Sequence, residues 1–260
     1  MKFCALVSGS SGNSILVCEN NTKILVDSGR SGKHIAACLA HTGTNPEDIS
    51  AILVTHEHID HTSSVGIMSR RYDIPIYATA GTWDGMQIGK IKTENIRVIE
   101  EGAPIDLGDL EATAFPIPHD ANQPVGYRFD AGNAVAVVAT DIGHLSETVR
   151  ENVLGADVVL LEANHDVARL KMGPYPYYLK QRILSTVGHL SNIDAARLAC
   201  ELVKAGTRYI TLGHLSEENN TPRLAFREVT EMMTAEGIDY RHDIALSVAE
   251  RNFCSQMVVV

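Results

Sequence analysis

The stretch Thr55-His56-Glu57-His58-Ile59-Asp60-His61 places four potential metal ligands within six consecutive positions, in the pattern HxHxDH. It follows residues 51–55, an apolar run that predicts a buried strand. Side chains two positions apart in an extended segment point to the same side, so His56 and His58 are expected to share one ion. The chain must then turn, which directs Asp60 and His61 toward a second position. Imidazole and carboxylate ligands suit divalent zinc, manganese or iron.

Further ligands are expected at the ends of other strands, because one short cluster does not complete the coordination of two ions and loops on a rigid scaffold carry function. Three polar residues each come directly after an apolar run: His119, Asp141 and His214. Taken singly, each is more simply explained as a surface or capping residue. Taken together, at corresponding strand ends, they predict a binuclear metal site.

The composition is that of an ordered globular protein. The chain has 260 residues, of which 45% are apolar and 21% are charged, which excludes a disordered or collagen-like chain. Its 22 basic and 32 acidic residues give a formal net charge of -10, which argues against a broad, electrostatically driven grip on nucleic acid. The 11 histidines are the unusual count, since histidine is the commonest metal ligand.

The sequence favours a cytoplasmic protein. Its five cysteines are odd in number and widely spaced, which argues against both a disulfide framework and a cysteine-rich zinc module. The apolar run at residues 3–7 is too short for a signal-peptide core, and no window approaches the length of a membrane span. No membrane association is therefore expected, and no obligate protein partner is predicted.

Short apolar runs divided by glycine, proline and Asp/Asn turns predict a succession of strands. Two runs that flank Glu19-Asn20-Asn21 predict a hairpin. Ser191 and Thr221-Pro222 are predicted starts of two helices in the C-terminal third. Further strands are predicted at residues 51–55, 74–78, 96–99, 110–116, 125–129, 134–140, 158–162 and 245–249. No linker or repeat divides the chain, so residues 1–260 are expected to form one domain of two sheets with helices outside.

These residues together match a family: the sequence resembles the metallo-β-lactamase superfamily of binuclear hydrolases. The resemblance rests on Ile24-Leu25-Val26-Asp27-Ser28-Gly29, the HxHxDH block, His119, Asp141 and His214, in this order. It implies an α/β (α+β) fold, the four-layer αββα sandwich, with the metals at one edge. It also implies the ligands of the first metal (His56, His58 and His119), those of the second (Asp60, His61 and His214), and a bridging Asp141. Asp27 is implied to orient the HxHxDH loop, with an ordinary turn aspartate as the alternative.

Within this superfamily the sequence is similar to the YycJ (WalJ) group, which is regarded as nuclease-like. β-Lactamases of this fold commonly have cysteine at the position of Asp141, and the oxygen-reducing diiron relatives have glutamate at that of His58, so neither pattern fits. Three stretches resemble the YycJ group: Ser8-Gly9-Ser10-Ser11-Gly12-Asn13-Ser14, Glu162-Ala163-Asn164-His165-Asp166 and Gly188-His189-Leu190-Ser191-Asn192. The Gly-His turn also resembles a phosphate-binding motif of the β-CASP nucleases, whose large insertion is missing here.

The resemblance implies substrate-phosphate contacts from His189, Ser191, Asn192 and His165. His189 is alternatively a proton donor to a leaving group, and both histidines have a structural role in a turn as a further alternative. The expected catalytic residues are Asp60, Asp141 and His189. Asp141 is expected to orient a water molecule between the metals, which loses a proton near neutral pH and attacks phosphorus or a carbonyl carbon.

Three functions are compatible with these residues. We expect the first, a binuclear metal-dependent phosphodiesterase that acts as an exonuclease on DNA or RNA, with zinc or manganese as its two divalent ions and iron as a third choice. The second is a thioesterase or lactonase of the glyoxalase II kind, which has the same ligand set. The third is a metal- or nucleotide-binding regulator, against which an open binuclear site argues. In the first case the positive charge that attracts phosphate is expected to come with the metals rather than from surface lysines.

Two segments keep alternative interpretations. Residues 173–182 mix tyrosines with Lys180 and Arg182, which suits base stacking and phosphate contacts. The simpler interpretation, which the sequence favours, is a loop that enters an amphipathic helix through Leu179, Ile183 and Leu184. The serine/glycine loop at 8–14 either presents backbone N–H groups to a phosphate or forms a tight turn under the site.

Overall fold

Apolar residues on both faces of most strands produce a layered architecture. The computed structural model describes all residues, 1–260. Two seven-stranded mixed sheets pack face to face, and helices cover the outer face of each sheet. The predicted αββα sandwich is therefore confirmed.

The strands and helices alternate along most of the chain. The strands are β1 (Lys2–Val7), β2 (Ser14–Glu19), β3 (Thr22–Val26), β4 (Ala51–Leu53), β5 (Ile76–Thr79), β6 (Ile96–Ile99), β7 (Pro104–Asp106), β8 (Glu111–Pro116), β9 (Val125–Asp130), β10 (Val135–Ala139), β11 (Val158–Glu162), β12 (Tyr209–Gly213), β13 (Ala245–Val248) and β14 (Val258–Val259). The helices are α1 (Gly32–His41), α2 (Ile59–Thr62), α3 (Val65–Tyr72), α4 (Ala80–Gly85), α5 (Glu147–Val153), α6 (Val167–Met172), α7 (Tyr177–Ile183), α8 (Asn192–Lys204) and α9 (Pro222–Ala235). Single 3-10 turns lie at Pro46–Asp48 and Thr93–Asn95.

Each sheet combines an antiparallel half with a parallel half. The first sheet has the order β14-β1-β2-β3-β4-β5-β6, and the second has the order β13-β12-β11-β10-β9-β8-β7. Strands β3 to β6 are parallel in the first sheet, and β10 to β13 are parallel in the second. The parallel halves bring the carboxyl ends of several strands to one edge, where open α/β sheets commonly bind ligands.

Alternate residues of each strand fill different cores. In β3, Ile24 and Val26 belong to the core between the two sheets, whereas Leu25 packs in the core beneath α1 and α3. In β11, Leu160 faces the first sheet and Leu161 faces α8 and α9. Burial on both faces explains why these strands are continuous apolar runs rather than alternating patterns.

The predicted helix starts in the C-terminal third are confirmed by their caps. The Ser191 side chain accepts a hydrogen bond from the Asp194 N–H at the start of α8. Thr221 accepts one from the Leu224 N–H at the start of α9, whose first residue is Pro222. These side chains satisfy N–H groups that have no partner within the helix.

The predicted strands are present, with shifted ends. The run at residues 51–55 forms a strand only as far as Leu53, because the Thr55 N–H is donated to the Asp27 carboxylate instead of a neighbouring strand. Short elements such as α3, α5 and the edge strands β7 and β14 were not predicted from the sequence. No helix in the structure has the length and apolar character needed to cross a membrane.

Candidate metal centre

The seven residues implied as ligands converge at one edge of the sandwich. They reach it from the carboxyl ends of strands in both sheets, with the HxHxDH loop after β4, His119 after β8, Asp141 after β10 and His214 after β12. Three overlapping sets of them have potential ligand atoms within 4.8 Å of one another: His56, His58 and His119; Asp60, His61 and His214; and His56, His61 and Asp141. A fourth such set joins Asp141 and His214 to two further residues, Glu162 and His189. Residues far apart in the chain therefore form one contiguous cluster.

His56, His58 and His119 form the first group of this cluster. Their ring centroids lie 4.6 Å (His56 to His58), 5.0 Å (His56 to His119) and 5.1 Å (His58 to His119) apart. The Nδ1 of His119 lies 3.1 Å from the Gly188 carbonyl oxygen, so this nitrogen carries the proton and donates it. The Nε2 atoms of His56 and His119 are buried without a hydrogen-bond partner. Such atoms are rare in folded proteins, and a divalent ion is a natural partner for them.

Asp60, His61 and His214 form the second group. One carboxylate oxygen of Asp60, Oδ2, lies 3.5 Å from the Nε2 of His61 and 3.7 Å from the Nε2 of His214. Helix α2 begins immediately before Asp60, so the turn expected after His58 is the start of a helix. This turn separates Asp60 and His61 from the first group.

Asp141 lies between the two groups. Its Oδ2 is 2.9 Å from the Nδ1 of His214 and 3.3 Å from the Nε2 of His61, while its Oδ1 is 3.7 Å from the Nε2 of His119. One carboxylate thus directs an oxygen toward each group, which is the geometry that a bridging ligand requires.

The charges of the cluster compensate one another. Burial opposes ionisation of Asp141, but the neighbouring imidazoles of His214 and His61 hold the pKa of its carboxyl well below the usual value. Burial would lower the pKa of His214, but Asp141 raises it to about 9. In the first group, by contrast, burial lowers the pKa of both His56 and His119. Burial therefore favours the neutral imidazole at His56 and His119, which is the form that binds metals.

Asp27 lies directly beneath the histidine cluster. Its carboxylate accepts hydrogen bonds from the Thr55 N–H, the Thr55 hydroxyl and the Nδ1 of His61, each at 2.8 Å. The last bond places the proton of His61 on Nδ1 and leaves Nε2 directed toward Asp60 and Asp141.

The serine/glycine loop supports the cluster through two side chains that the sequence did not single out. The Ser8 hydroxyl accepts a hydrogen bond from the His214 N–H at 2.8 Å. The Asn13 amide nitrogen lies 3.1 Å from the Nε2 of His61 and 3.5 Å from the Oδ2 of Asp60. These contacts favour the tight turn under the site over a direct phosphate contact, although the motif alone gave no indication of which side chains would be used.

Three of the five non-glycine residues with positive φ belong to the site. Asp27, Asp141 and His214 have φ values of 61°, 62° and 52°. This left-handed conformation is unfavourable for residues with a side chain and is held only by the surrounding structure. Its concentration here is typical of a functional site.

Glu162 is a further site residue that the sequence analysis did not assign. It is fully buried at the end of β11, and it accepts hydrogen bonds from the Ile142 N–H at 2.6 Å and the Leu190 N–H at 3.1 Å. Its Oε1 lies 2.8 Å from the Nδ1 of His189. His189 therefore faces Asp141, at 3.6 Å, with its ring fixed by a buried carboxylate. A polar residue at the end of an apolar run was the signal that could have identified Glu162.

The other residues expected to contact phosphate are already engaged or enclosed. The Ser191 hydroxyl caps α8. The Asn192 side chain is buried and exchanges hydrogen bonds with the Asn220 amide at 2.8 and 3.0 Å. His165 is buried, and neither ring nitrogen has a partner. These contacts leave the expected binding of phosphate by Ser191, Asn192 and His165 a prediction.

Comparison with known proteins identifies relatives along most of the chain. The sequence profile of the β-lactamase superfamily domain matches residues 22–214. Exodeoxyribonuclease YycJ of Bacillus anthracis is 40% identical over 239 residues, which cover 91% of this chain and 90% of the relative. Exodeoxyribonuclease WalJ of Streptococcus pneumoniae is 42% identical over 248 residues, which cover 92% of each chain.

Solved structures with low sequence identity share the fold. The metallo-β-lactamase fold protein YhfI of Bacillus subtilis superposes with a TM-score of 0.73 at 19% identity, over 98% of this chain and 99% of the other. A diphosphatase of the PhnP family superposes with a TM-score of 0.67 at 17% identity, over 98% and 97% of the two chains. The chain therefore belongs to the metallo-β-lactamase superfamily and, within it, to the family of the YycJ and WalJ proteins.

Proposed function

We propose that this protein is a metal-dependent exonuclease that hydrolyses the phosphodiester bonds of DNA. Its relatives over nine-tenths of the chain, at 40 and 42% identity, are named exodeoxyribonucleases. The observation that carries the proposal is the His189–Glu162 pair beside the histidine cluster, because it adds a side chain capable of contacting phosphate to a centre that otherwise suits several hydrolases.

Two divalent ions fit the residues of this centre. His56, His58 and His119 would hold one, Asp60, His61 and His214 would hold the other, and Asp141 would bridge them. The buried, unpaired Nε2 atoms of His56 and His119 support this assignment. Bound there, the ions would activate water and neutralise phosphate charge. Zinc and manganese both suit the ligand set.

His189 is the residue that we assign to the substrate. Its Nδ1–H donates to Glu162 at 2.8 Å, and its Nε2 has no partner within the chain. A protonated Nε2 donates a hydrogen bond to a phosphate oxygen, and it delivers that proton to the departing oxygen when the bond breaks. The buried Glu162 carboxylate accepts the Nδ1–H of His189 and so fixes the orientation of the ring. Glu162 is thus a positioning residue.

A digestion panel tests this proposal. DNA and RNA oligonucleotides, labelled at the 5′ or the 3′ end, are incubated with the protein and with manganese or zinc. We expect stepwise shortening of DNA from one end, and its loss in the variants His58→Ala and Asp141→Ala. The variant His189→Ala is expected to retain bound metal but to lose about 100- to 10,000-fold in rate, the usual contribution of a positioned acid. Bound metal without hydrolysis of DNA or RNA in any strand form would refute the proposal.

The thioesterase alternative has weaker support. A hydroxyacylglutathione hydrolase of Hahella chejuensis is only 23% identical over 64% of this chain. The same protein preparation assayed with an acyl-glutathione thioester and with DNA separates the two functions directly.

A further inference from the structure

Residues 167–193 form the longest stretch of this chain without aspartate or glutamate. The segment contains four basic residues, namely Arg169, Lys171, Lys180 and Arg182, in a protein whose net charge is -10. It comprises α6, α7 and the loop that leads to α8. The segment therefore carries four basic side chains and no acidic one.

The same segment holds half of the large apolar side chains that are exposed in the whole structure. These are Met172, Tyr177, Tyr178, Leu184, Val187 and Ile193. Tyr177 and Tyr178, at the start of α7, are 77 and 74% exposed, and Met172 is 82% exposed. Exposed apolar side chains concentrated in this way mark an interaction surface.

The basic side chains belong to α6 and α7. The Lys180 ammonium donates a hydrogen bond to the Lys171 carbonyl oxygen at 2.8 Å, which places the Lys180 cation at the last turn of α6. Neither lysine forms an ion pair with a carboxylate, whereas Arg182 pairs with Asp120. The two lysines are thus available to an anionic partner.

The segment is hydrogen-bonded to residues of the candidate metal centre and to their neighbours. The Asp120 N–H donates to the Val187 carbonyl oxygen at 3.1 Å, and the His119 Nδ1 lies 3.1 Å from the Gly188 carbonyl oxygen. Arg182 holds the Asp120 carboxylate next to His119. A polymer bound along α7 therefore leads to the group of His56, His58 and His119.

We propose that the 167–193 segment is a platform for single-stranded nucleic acid, on which Tyr177 and Tyr178 stack unpaired bases and Lys171 and Lys180 bind phosphates. The inference rests on the proposed nuclease function and names the form of its substrate. Bases expose their faces to aromatic side chains only when they are unpaired, and stacking of this kind tolerates any sequence. The platform accounts for the exposed tyrosines and the local charge at once, and it directs the strand end to the metal centre.

The test uses fluorescence anisotropy to measure how tightly the metal-loaded protein binds a labelled oligothymidylate. Phosphorothioate linkages make this oligonucleotide resistant to hydrolysis. Tyr177→Ala/Tyr178→Ala is expected to bind about 5- to 100-fold more weakly, as for the loss of one stacked base or more, while Tyr177→Phe/Tyr178→Phe retains binding. Lys171→Gln/Lys180→Gln is expected to weaken binding and to reduce the slope of log affinity against log salt by about 0.7 for each lysine. Phe253→Ala, which removes an aromatic ring that is 72% exposed elsewhere, and Lys2→Gln, at the far end of β1, are the matched controls.

A second substrate separates this inference from the proposed function. All these variants are expected to hydrolyse bis(p-nitrophenyl) phosphate, which has no bases to stack, at the parent rate. Unchanged oligothymidylate binding in the tyrosine-to-alanine variant would overturn the platform, as would equal losses in the controls. Binding to anionic phospholipid vesicles is measured in parallel. If the tyrosine-to-alanine variant loses only vesicle binding and keeps oligothymidylate binding, the platform is also overturned. If the parent hydrolyses no phosphodiester, the proposed function fails, whereas the binding comparison still decides whether the platform exists.

Discussion

Replacing Asp27 with asparagine removes the carboxylate on which three hydrogen bonds beneath the histidine cluster converge. Oδ1 of Asp27 accepts from the Thr55 N–H, and Oδ2 accepts from the Thr55 hydroxyl and from the Nδ1 of His61. An amide offers only one oxygen. In either orientation its NH₂ group faces a buried donor, either the Thr55 N–H or the imidazole of His61.

The size of the effect follows from these contacts. A hydrogen bond to a charged group contributes about 1.5 to 3 kcal/mol, so the loss of one such bond is expected to destabilise the protein by about 2 kcal/mol. The second effect is on metal binding. Without the Asp27 acceptor, the proton of His61 moves readily to Nε2, the nitrogen that faces Asp60 and Asp141. Loss of such an orienting partner typically weakens metal binding by about 10- to 100-fold.

Metal affinity is measured by competition with a chromophoric chelator, and stability is measured by urea unfolding of the metal-free protein. Asp73→Asn is the matched control, because the Asp73 carboxylate also accepts two hydrogen bonds, from Lys92 and Asn95, but at the exposed surface. We expect Asp73→Asn to bind metal like the parent. If Asp27→Asn binds zinc and manganese within twofold of the parent, Asp27 does not orient His61 and the reasoning is wrong.

Three further predictions concern groups around the site. Gly29→Ala should lose metal binding and about 3 kcal/mol of stability, because its added Cβ would lie 1.7 Å from the Asp60 carbonyl oxygen, whereas Gly32→Ala, with ordinary contacts, should not; urea unfolding and metal titration compare them. Tyr127→Phe should cost about 1 to 3 kcal/mol in urea unfolding, because its buried hydroxyl donates to a main-chain carbonyl oxygen just before the histidine cluster. Burial lowers the pKa of His165 to about 4. As the pH falls, the unfolded chain therefore protonates His165 before the folded protein does. The stability that the neutral His165 contributes is lost as the pH falls from about 6.5 to 4. His165→Leu should therefore lose less stability than the parent between pH 7 and pH 5, and unchanged acid sensitivity would contradict this, while lost hydrolysis in a stable variant would favour the phosphate contact.

The strand ends and the ligands could be predicted from the sequence for the same physical reason. A strand buried on both faces is a continuous apolar run, so the first polar residue beyond it is conspicuous, as with His119 and Asp141. Since such ends gather at the edge of a sheet, the residues could be assigned to one site before their distances were known. Glu162 is also a polar residue at the end of an apolar strand. Because it is the last residue of β11 itself, it was counted as part of the predicted strand at residues 158–162 and not as a residue beyond it.

The remaining features depend on contacts that no local pattern encodes. Ser8 and His214 are joined by a hydrogen bond across more than 200 positions of the chain, and the Asn192–Asn220 amide pair joins the first residue of α8 to the segment just before α9. The left-handed backbone conformation of His214 is unfavourable for histidine, and the surrounding fold holds it. Long-range hydrogen bonds and strain of this kind are properties of the assembled structure.

Net charge was a poor guide to substrate for a physical reason. Salt screens the interaction of exposed charges beyond roughly 10 Å, so a bound phosphate responds to its immediate surroundings and not to the sum over the chain. At the metal centre, the carboxylates of Asp60 and Asp141 would be outweighed by two divalent ions, and the 167–193 segment beside it contains no acidic residue. The expectation that positive charge would come with the metals rather than from surface lysines stays a prediction. The proposed platform would add a second source that differs in kind: ions would act on the bond that is cut, whereas Lys171 and Lys180 would act on the strand that leads to it.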